Sequence, residues 1–182
     1  MAAFEAYSDE SGVPNQRYKA IAVVSGSRAD LASLRGSLQS SLTQPGIREL
    51  KFAEVKGDRR RWACADEFVA HAVEFAGTGR IRLDVIVWDM QDSRHAIRGR
   101  DDIACLERMY YHVLINMARR WGREAWRFFP DEQSAVDFWE MQNYLNMTTA
   151  RRGRRGQPAL LKRLQQERRA FRFNVLVCLQ RL

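Results

Sequence analysis

The sequence predicts an α/β fold, a mixed sheet opened by an N-terminal hairpin and flanked by helices. Three observations predict it. Near the N-terminus two runs rich in aromatic and β-branched residues, Phe4–Tyr7 and Tyr18–Val24, are separated by a turn. Beyond them, stretches with helical spacing of apolar residues alternate with short extended runs, an order that favours a layered sheet. A length of 182 residues, 46% apolar and 29% charged, suits one globular domain with an ample core.

The stretch Phe4–Gly12 (FEAYSDESG) organises the chain. It reads as a short central strand that carries Asp9 and Glu10 to the rim of the sheet, where Ser11-Gly12 breaks the pattern. Successive strand side chains point to opposite faces. The two acids therefore share one site only if the turn begins between them, and Asp9 is the one expected to face the chemistry. The alternative is an Asx-type turn, with Asp9 capping the local backbone. Val13–Arg17 is a turn around Pro14-Asn15, and Tyr18–Ser25 pairs back as the second strand.

Ser27 begins a helix, with Asp30 completing an approximate capping box, and Leu31, Leu34, Leu38 and Leu42 share one face. Pro45-Gly46 stops it. In Arg48–Phe52, Leu50 and Phe52 alternate with Glu49 and Lys51, which places the two charges on one face of an extended segment. Asp58–Gly77 reads as a helix and Arg80–Trp88 as a strand. Asp89–Asp102 reads as a long polar loop holding Asp89, Asp92 and His95. Ile103–Trp121 is an amphipathic helix that Gly122 ends. Ala125–Phe129 is a strand stopped by Pro130, so Asp131 falls just past the sheet. Ser134–Met147 reads as a helix with Val136, Trp139 and Tyr144 in phase, and Asp131, Glu132 and Ser134 compete as its cap or first-turn acid. Pro158–Ala170 reads as a basic helix and Phe171–Leu179 as a last strand.

The net charge of +8 is concentrated at one end. Residues 147–182 hold ten Lys/Arg and one acid (10 − 1 = +9), whereas residues 1–146 hold 20 basic and 21 acidic residues (20 − 21 = −1). Within the basic block, Arg151, Arg152, Arg154 and Arg155 alternate with Gly153 and Gly156 in a segment with no core face. Guanidinium groups on flexible backbone suit successive phosphates, so nucleic acid, DNA or RNA, is the expected partner. Residues 1–147 are expected to form the core, and residues 148–182 an arm, helix and terminal strand of the same domain. No apolar run approaches the ~20 residues of a membrane span. The acidic N-terminus lacks a signal pattern, so the expectation is a cytoplasmic protein. Cys64, Cys105 and Cys178, odd in number and set among apolar residues, read as reduced core residues.

Tyr7-Ser8-Asp9-Glu10-Ser11-Gly12, the apolar strand Tyr18–Val24 and the Glu49-Leu50-Lys51-Phe52 segment together resemble the bacterial family called domain of unknown function 3800. The resemblance covers about residues 4–146. It implies an RNase H-like fold, a carboxylate site for Mg²⁺ or Mn²⁺, and hydrolysis of phosphodiester bonds in nucleic acid. Carried onto this chain, it implies Asp9, Glu49 and Asp131 as catalytic and metal-holding carboxylates, with Glu10 as a further metal ligand. Asp137 competes with Asp131 as a match. Lys51 would neutralise a phosphate. RNase H-like sites usually draw a further carboxylate from a C-terminal helix, and beyond Asp137 this chain offers only Glu140 and Glu167. The sequence therefore reads either as a short or C-terminally truncated member or as one whose last acid comes from an unexpected place. The alternative function is a non-catalytic nucleic-acid-binding or interaction protein of a mobile-element or defence system.

Overall fold

In the structure, a computed structural model, the described residues are 4–12, 16–43, 46–48, 50, 55–92, 94, 101–122, 125–130, 136–143, 145 and 163–166. Five strands form one mixed sheet: β1 (Phe4–Ser11), β2 (Tyr18–Ser27), β3 (Ile81–Asp89), β4 (Ala125–Phe129) and β5 (Arg163–Gln166), in the order β3-β2-β1-β4-β5. The N-terminal strand is central, as its composition predicts. It pairs antiparallel with β2, from Phe4 opposite Ser27 to Ser11 opposite Ala20, and parallel with β4, from Phe4 opposite Trp126 to Tyr7 opposite Phe129. The strand does not turn between Asp9 and Glu10. Both belong to β1, so they project to opposite faces.

Each face of the sheet has its own cover. Helix α1 (Arg28–Thr43) and helix α2 (Arg59–Gly77) follow β2, and their Leu31, Leu34 and Phe75 pack on Tyr7, Val24, Ile81 and Phe129. Helix α3 (Asp102–Trp121) follows β3 and packs Met109, Tyr110, Val113, Leu114 and Met117 on Ala6, Ile21, Val23, Trp126 and Phe128. Full burial of each large apolar side chain here contributes about 1.5–3 kcal/mol. The expected capping box at α1 is present: the Ser27 hydroxyl accepts from the Asp30 N–H at 3.0 Å and donates to the Asp30 carboxylate at 2.5 Å. Asp58 caps α2, Asp101 caps α3, and Gly122 ends α3 in the left-handed region at φ 61°.

Polar ties fix how α3 lies on the sheet. Lys19 Nζ, on a side chain only 3% exposed, meets Asp102 Oδ2 at 2.7 Å at the start of the helix. At its end, Arg120 pairs with the buried Asp84 of β3, and the Trp121 indole donates to Ser25 Oγ at 2.9 Å. A sliding of α3 by one turn would break these contacts and leave buried charge uncompensated.

Two sequence expectations are corrected. Arg163–Gln166, expected inside a basic helix, forms β5 parallel to β4, from Ala125 opposite Arg163 to Phe128 opposite Gln166. The open edge of β4 offers backbone hydrogen bonds that outweigh the helical preference of this run. The helix expected from Ser134 has its described helical stretch at 138–143. Asp137 Oδ1 accepts from the backbone N–H of Trp139 at 2.9 Å and of Glu140 at 3.1 Å, which makes Asp137 the cap. The phase differs too: Phe138, Met141 and Leu145 are buried, and Trp139 is 67% exposed. Packing against α3 and β4 selects the buried face. Cys64 and Cys105 are buried free thiols, as read. Among the described residues no helix is long and apolar enough to cross a membrane. The expected terminal strand Phe171–Leu179 lies outside the described residues.

Candidate functional site

The site is built at the carboxyl end of β1. Helices α1 and α2 lie on one side of the sheet and α3 on the other, so the chain order reverses between β1 and β4. In open α/β sheets that reversal leaves a crevice beyond the carboxyl ends of the strands. The last paired residues of the β1–β4 ladder are Tyr7 and Phe129. Asp9 and Asp131 each follow two residues later in sequence (9 − 7 and 131 − 129).

Asp9 and Glu10 are both partly exposed, and the structure gives them different settings. Asp9 shares its face with Tyr7, on the α1 side, and its Oδ1 accepts the Glu10 backbone N–H at 2.9 Å. Glu10 shares its face with Ser8 and Ala6, on the α3 side. Its Oε1 accepts from the Tyr110 hydroxyl at 2.8 Å. Tyr110 also lies 3.2 Å from Ser8 Oγ. A phenol has one proton to donate, and here it goes to the carboxylate, so the Ser8 hydroxyl donates to the Tyr110 oxygen. Burial holds the Tyr110 phenol pKa well above its ordinary value, with the charge of Glu10 as the next cause and that of Asp9 acting the same way.

Glu49, Lys51, Asp131, Arg151, Arg152, Arg154 and Arg155 lie outside the described residues, as does His95. Asp89 and Asp92 are engaged locally. Asp89 receives Arg17 at 2.7 Å, and Asp92 receives Arg94 at 2.5 Å. The hydrogen bond from Arg17 is the main reason the Asp89 carboxyl is held below its usual range. Among the described residues there is no group of three or more His, Cys, Asp or Glu able to hold a metal ion.

Two features were missed from sequence. Tyr110 reads there as part of the apolar stripe of α3, although a buried tyrosine needs a partner for its hydroxyl, and that need was the available signal. Glu107, one turn earlier on α3, has its carboxyl pKa raised, first by burial and then by the charge of Glu140, with a backbone hydrogen bond at Asp137 opposing the rise and Asp101 adding a smaller one. These acids come from separate parts of the sequence, and no local spacing reveals their proximity.

No protein-family model matches the chain. Two uncharacterised proteins of Methanothermobacter thermautotrophicus, ORF2 and ORF2′, are 36% and 37% identical to it over 153 residues, which are 79% of this chain and 53% of each relative. The chain thus spans about half the length of the curated relatives it matches. Among solved structures, a chain of the PCNA:RNase HII complex from Archaeoglobus fulgidus aligns with 91% of this chain and 63% of its own length. The TM-score is 0.50 and the identity 17%, so the likeness is one of fold. The sheet order, the strand directions and this likeness define an RNase H-like α/β protein.

Proposed function

We propose that the chain is a metal-dependent, nuclease-like protein that hydrolyses phosphodiester bonds in nucleic acid and is related to domain of unknown function 3800. The observation that carries this reading is the position of Asp9 and Glu10 at the carboxyl end of the central strand, beside the reversal of chain order. Carboxylates gathered at one site repel one another, and a hard divalent cation relieves that repulsion through oxygen ligands. The carboxylate of Asp9 is a hard oxygen donor of the kind that Mg²⁺ or Mn²⁺ takes. Asp9, Glu49 and Asp131 would hold the ion, whereas Glu10 projects to the opposite face of β1 and is engaged there by the Tyr110 hydroxyl. Such an ion supplies Lewis-acid activation of water and of a phosphoryl oxygen. Lys51 would neutralise phosphate charge, and Arg151, Arg152, Arg154 and Arg155 would hold the nucleic-acid backbone.

The test is titration of Mn²⁺ into the protein, followed by calorimetry, melting and oligonucleotide cleavage. A ligand at a hundredfold excess over its Kd stabilises the folded state by ~2.7 kcal/mol. Asp9→Asn preserves side-chain shape and removes the charge, so it should abolish both this stabilisation and cleavage. An Asp9→Asn protein that cleaves as fast as wild type would place the site elsewhere. The second reading, a non-catalytic nucleic-acid-binding protein, is favoured by the +9 charge of residues 147–182. It is the expected outcome if wild-type protein binds oligonucleotide and shows neither metal stabilisation nor cleavage.

A further inference from the structure

We infer that the outer edge of β3 is the contact surface for a second copy of this chain, which extends the sheet by antiparallel pairing of the two β3 strands. Strand β3 closes the sheet at one end, and its outer backbone edge has no strand partner among the described residues. It is nine residues long and pairs with β2 without a bulge, from Gly26 opposite Ile81 to Tyr18 opposite Asp89. It holds no proline, glycine or lysine. Edge strands of globular proteins are ordinarily blunted by such residues, by bulges or by brevity, because a straight row of unpaired N–H and C=O groups captures another strand. Here the edge is unblunted, and Val85 and Val87 on it are 41% and 63% exposed.

The cover of β3 selects the occupant. On the α2 side of the sheet, Phe75 and Ala76 pack with Ile81 and Leu83, whereas Val85 and Val87 stand on the same face beyond that cover. One half of the strand is therefore roofed and the other half bare. A two-fold axis at Val85 brings the bare half of each copy beside the roofed half of the other. In that register Val85 lies opposite Val85 of the second copy, Val87 opposite its Leu83, and Ile81 opposite its Asp89. On the other face Asp84 lies opposite Ile86 and Arg82 opposite Trp88. All nine residues pair, and no like charges are opposed. Moving the register one step toward the start of the strand sets Asp84 against Asp84, and one step toward its end takes Ile81 and Arg82 out of the ladder. Specific interfaces bury ~1,000 Å² or more, so strand edges need flanking surface. Helix α2 supplies it: α2 packs on β3, whereas α1 packs on β1 and β2, and Val69 and Val73 of α2 are exposed. Such a contact is self-complementary and closes at two copies.

The experiment is sedimentation equilibrium on the full chain over a concentration series, for wild type and Val85→Lys, with melting curves for both. Wild type should be a dimer that dissociates on dilution. Val85→Lys sets two like charges against each other at the axis and should raise the dimer Kd about tenfold or more. Wild type that stays monomeric at its highest soluble concentration overturns the inference, as does a dimer whose Kd Val85→Lys leaves unchanged. If Val85→Lys does not fold, Val87→Lys replaces it, and an unchanged Kd there also overturns the proposal. The register has its own test. A short bismaleimide should link Val85→Cys to its own copy, and should not link wild type or Ser33→Cys, an exposed position on α1. Cross-linking of Val85→Cys no greater than that of Ser33→Cys overturns the two-fold pairing. None of these readouts involves a metal ion, so the inference stands or falls apart from the reading of Asp9.

Discussion

Tyr7 and Phe129 stack face to face, their ring centroids 4.6 Å apart and their planes within 8°. They are also the last paired residues of the β1–β4 ladder, so this stack sets the spacing of the two strand ends beside the candidate crevice. Phe129→Ala would leave a cavity under α1 and should cost about 3–5 kcal/mol. Phe129→Leu retains most of the volume and should cost less. Urea unfolding measures both, and a loss below ~1 kcal/mol for Phe129→Ala would show that the stack does not hold the strands.

Gly12 closes β1 at φ +80°, and a Cβ there would stand 2.2 Å from the Tyr18 carbonyl oxygen. No side-chain rotation relieves a clash with backbone, so Gly12→Ala must displace the start of β2. With a left-handed cost of ~1–2 kcal/mol added, the total should exceed ~2 kcal/mol, a fall in melting temperature of about 4–8 °C. Gly46 is the control. Its φ is +70° and nothing lies within 4 Å of a Cβ there, so Gly46→Ala should show the conformational cost alone. Equal losses for the two substitutions would refute the contact.

Alkaline pH should weaken the fold through two buried phenols. Burial raises the pKa of Tyr7, with Glu5 adding to the rise and Arg35 opposing it. Burial likewise raises Tyr110, reinforced by Glu10. The unfolded chain ionises its tyrosines near pH ~10. Below that value both states keep their protons and the contribution to stability is complete. Above it the unfolded state releases protons that the folded state retains, and stability falls until the folded groups titrate. Melting temperature should therefore drop from about pH 10 upward, and Tyr7→Phe should make the drop shallower. A profile that is flat to pH ~11 in wild type would contradict this assignment.

How much of this was legible in sequence differs by element. Central β1 was readable because an aromatic-rich run stops at Asp9-Glu10-Ser11-Gly12, and a local break of that kind is written in adjacent residues. The same holds for α3, whose apolar stripe is ended by Gly122, whereas its cap, Asp101, was read as part of the preceding loop. Strand β5 was not readable, because Arg163–Gln166 has no β pattern of its own and is a strand through the edge of β4. Likewise the phase of the 138–143 helix is set by burial of Phe138 and Met141 against distant elements. Asp9 and Glu10 could be located as rim carboxylates. What could not be read was their unequal support, since the Tyr110 hydroxyl reaches Glu10 across 100 positions of sequence.

The charge asymmetry makes a separate claim about partners. Residues 147–182 carry +9, and the rest of the chain carries −1. Binding to a nucleic-acid backbone releases counterions, so the logarithm of affinity falls with the logarithm of salt by ~0.7–0.9 per phosphate neutralised. If Arg151, Arg152, Arg154 and Arg155 each meet a phosphate, replacing all four with alanine should flatten that slope by roughly three to four units. The loss should be similar across oligonucleotide sequences, because phosphate contacts carry no base information. Asp9→Asn should leave the slope as in wild type, which separates the binding arm from the candidate metal site. Fluorescence anisotropy at several salt concentrations makes the measurement. A fourfold variant with the wild-type slope would assign these arginines to the solvated surface, and the phosphate contacts would then have to come from the remaining basic residues of 147–182.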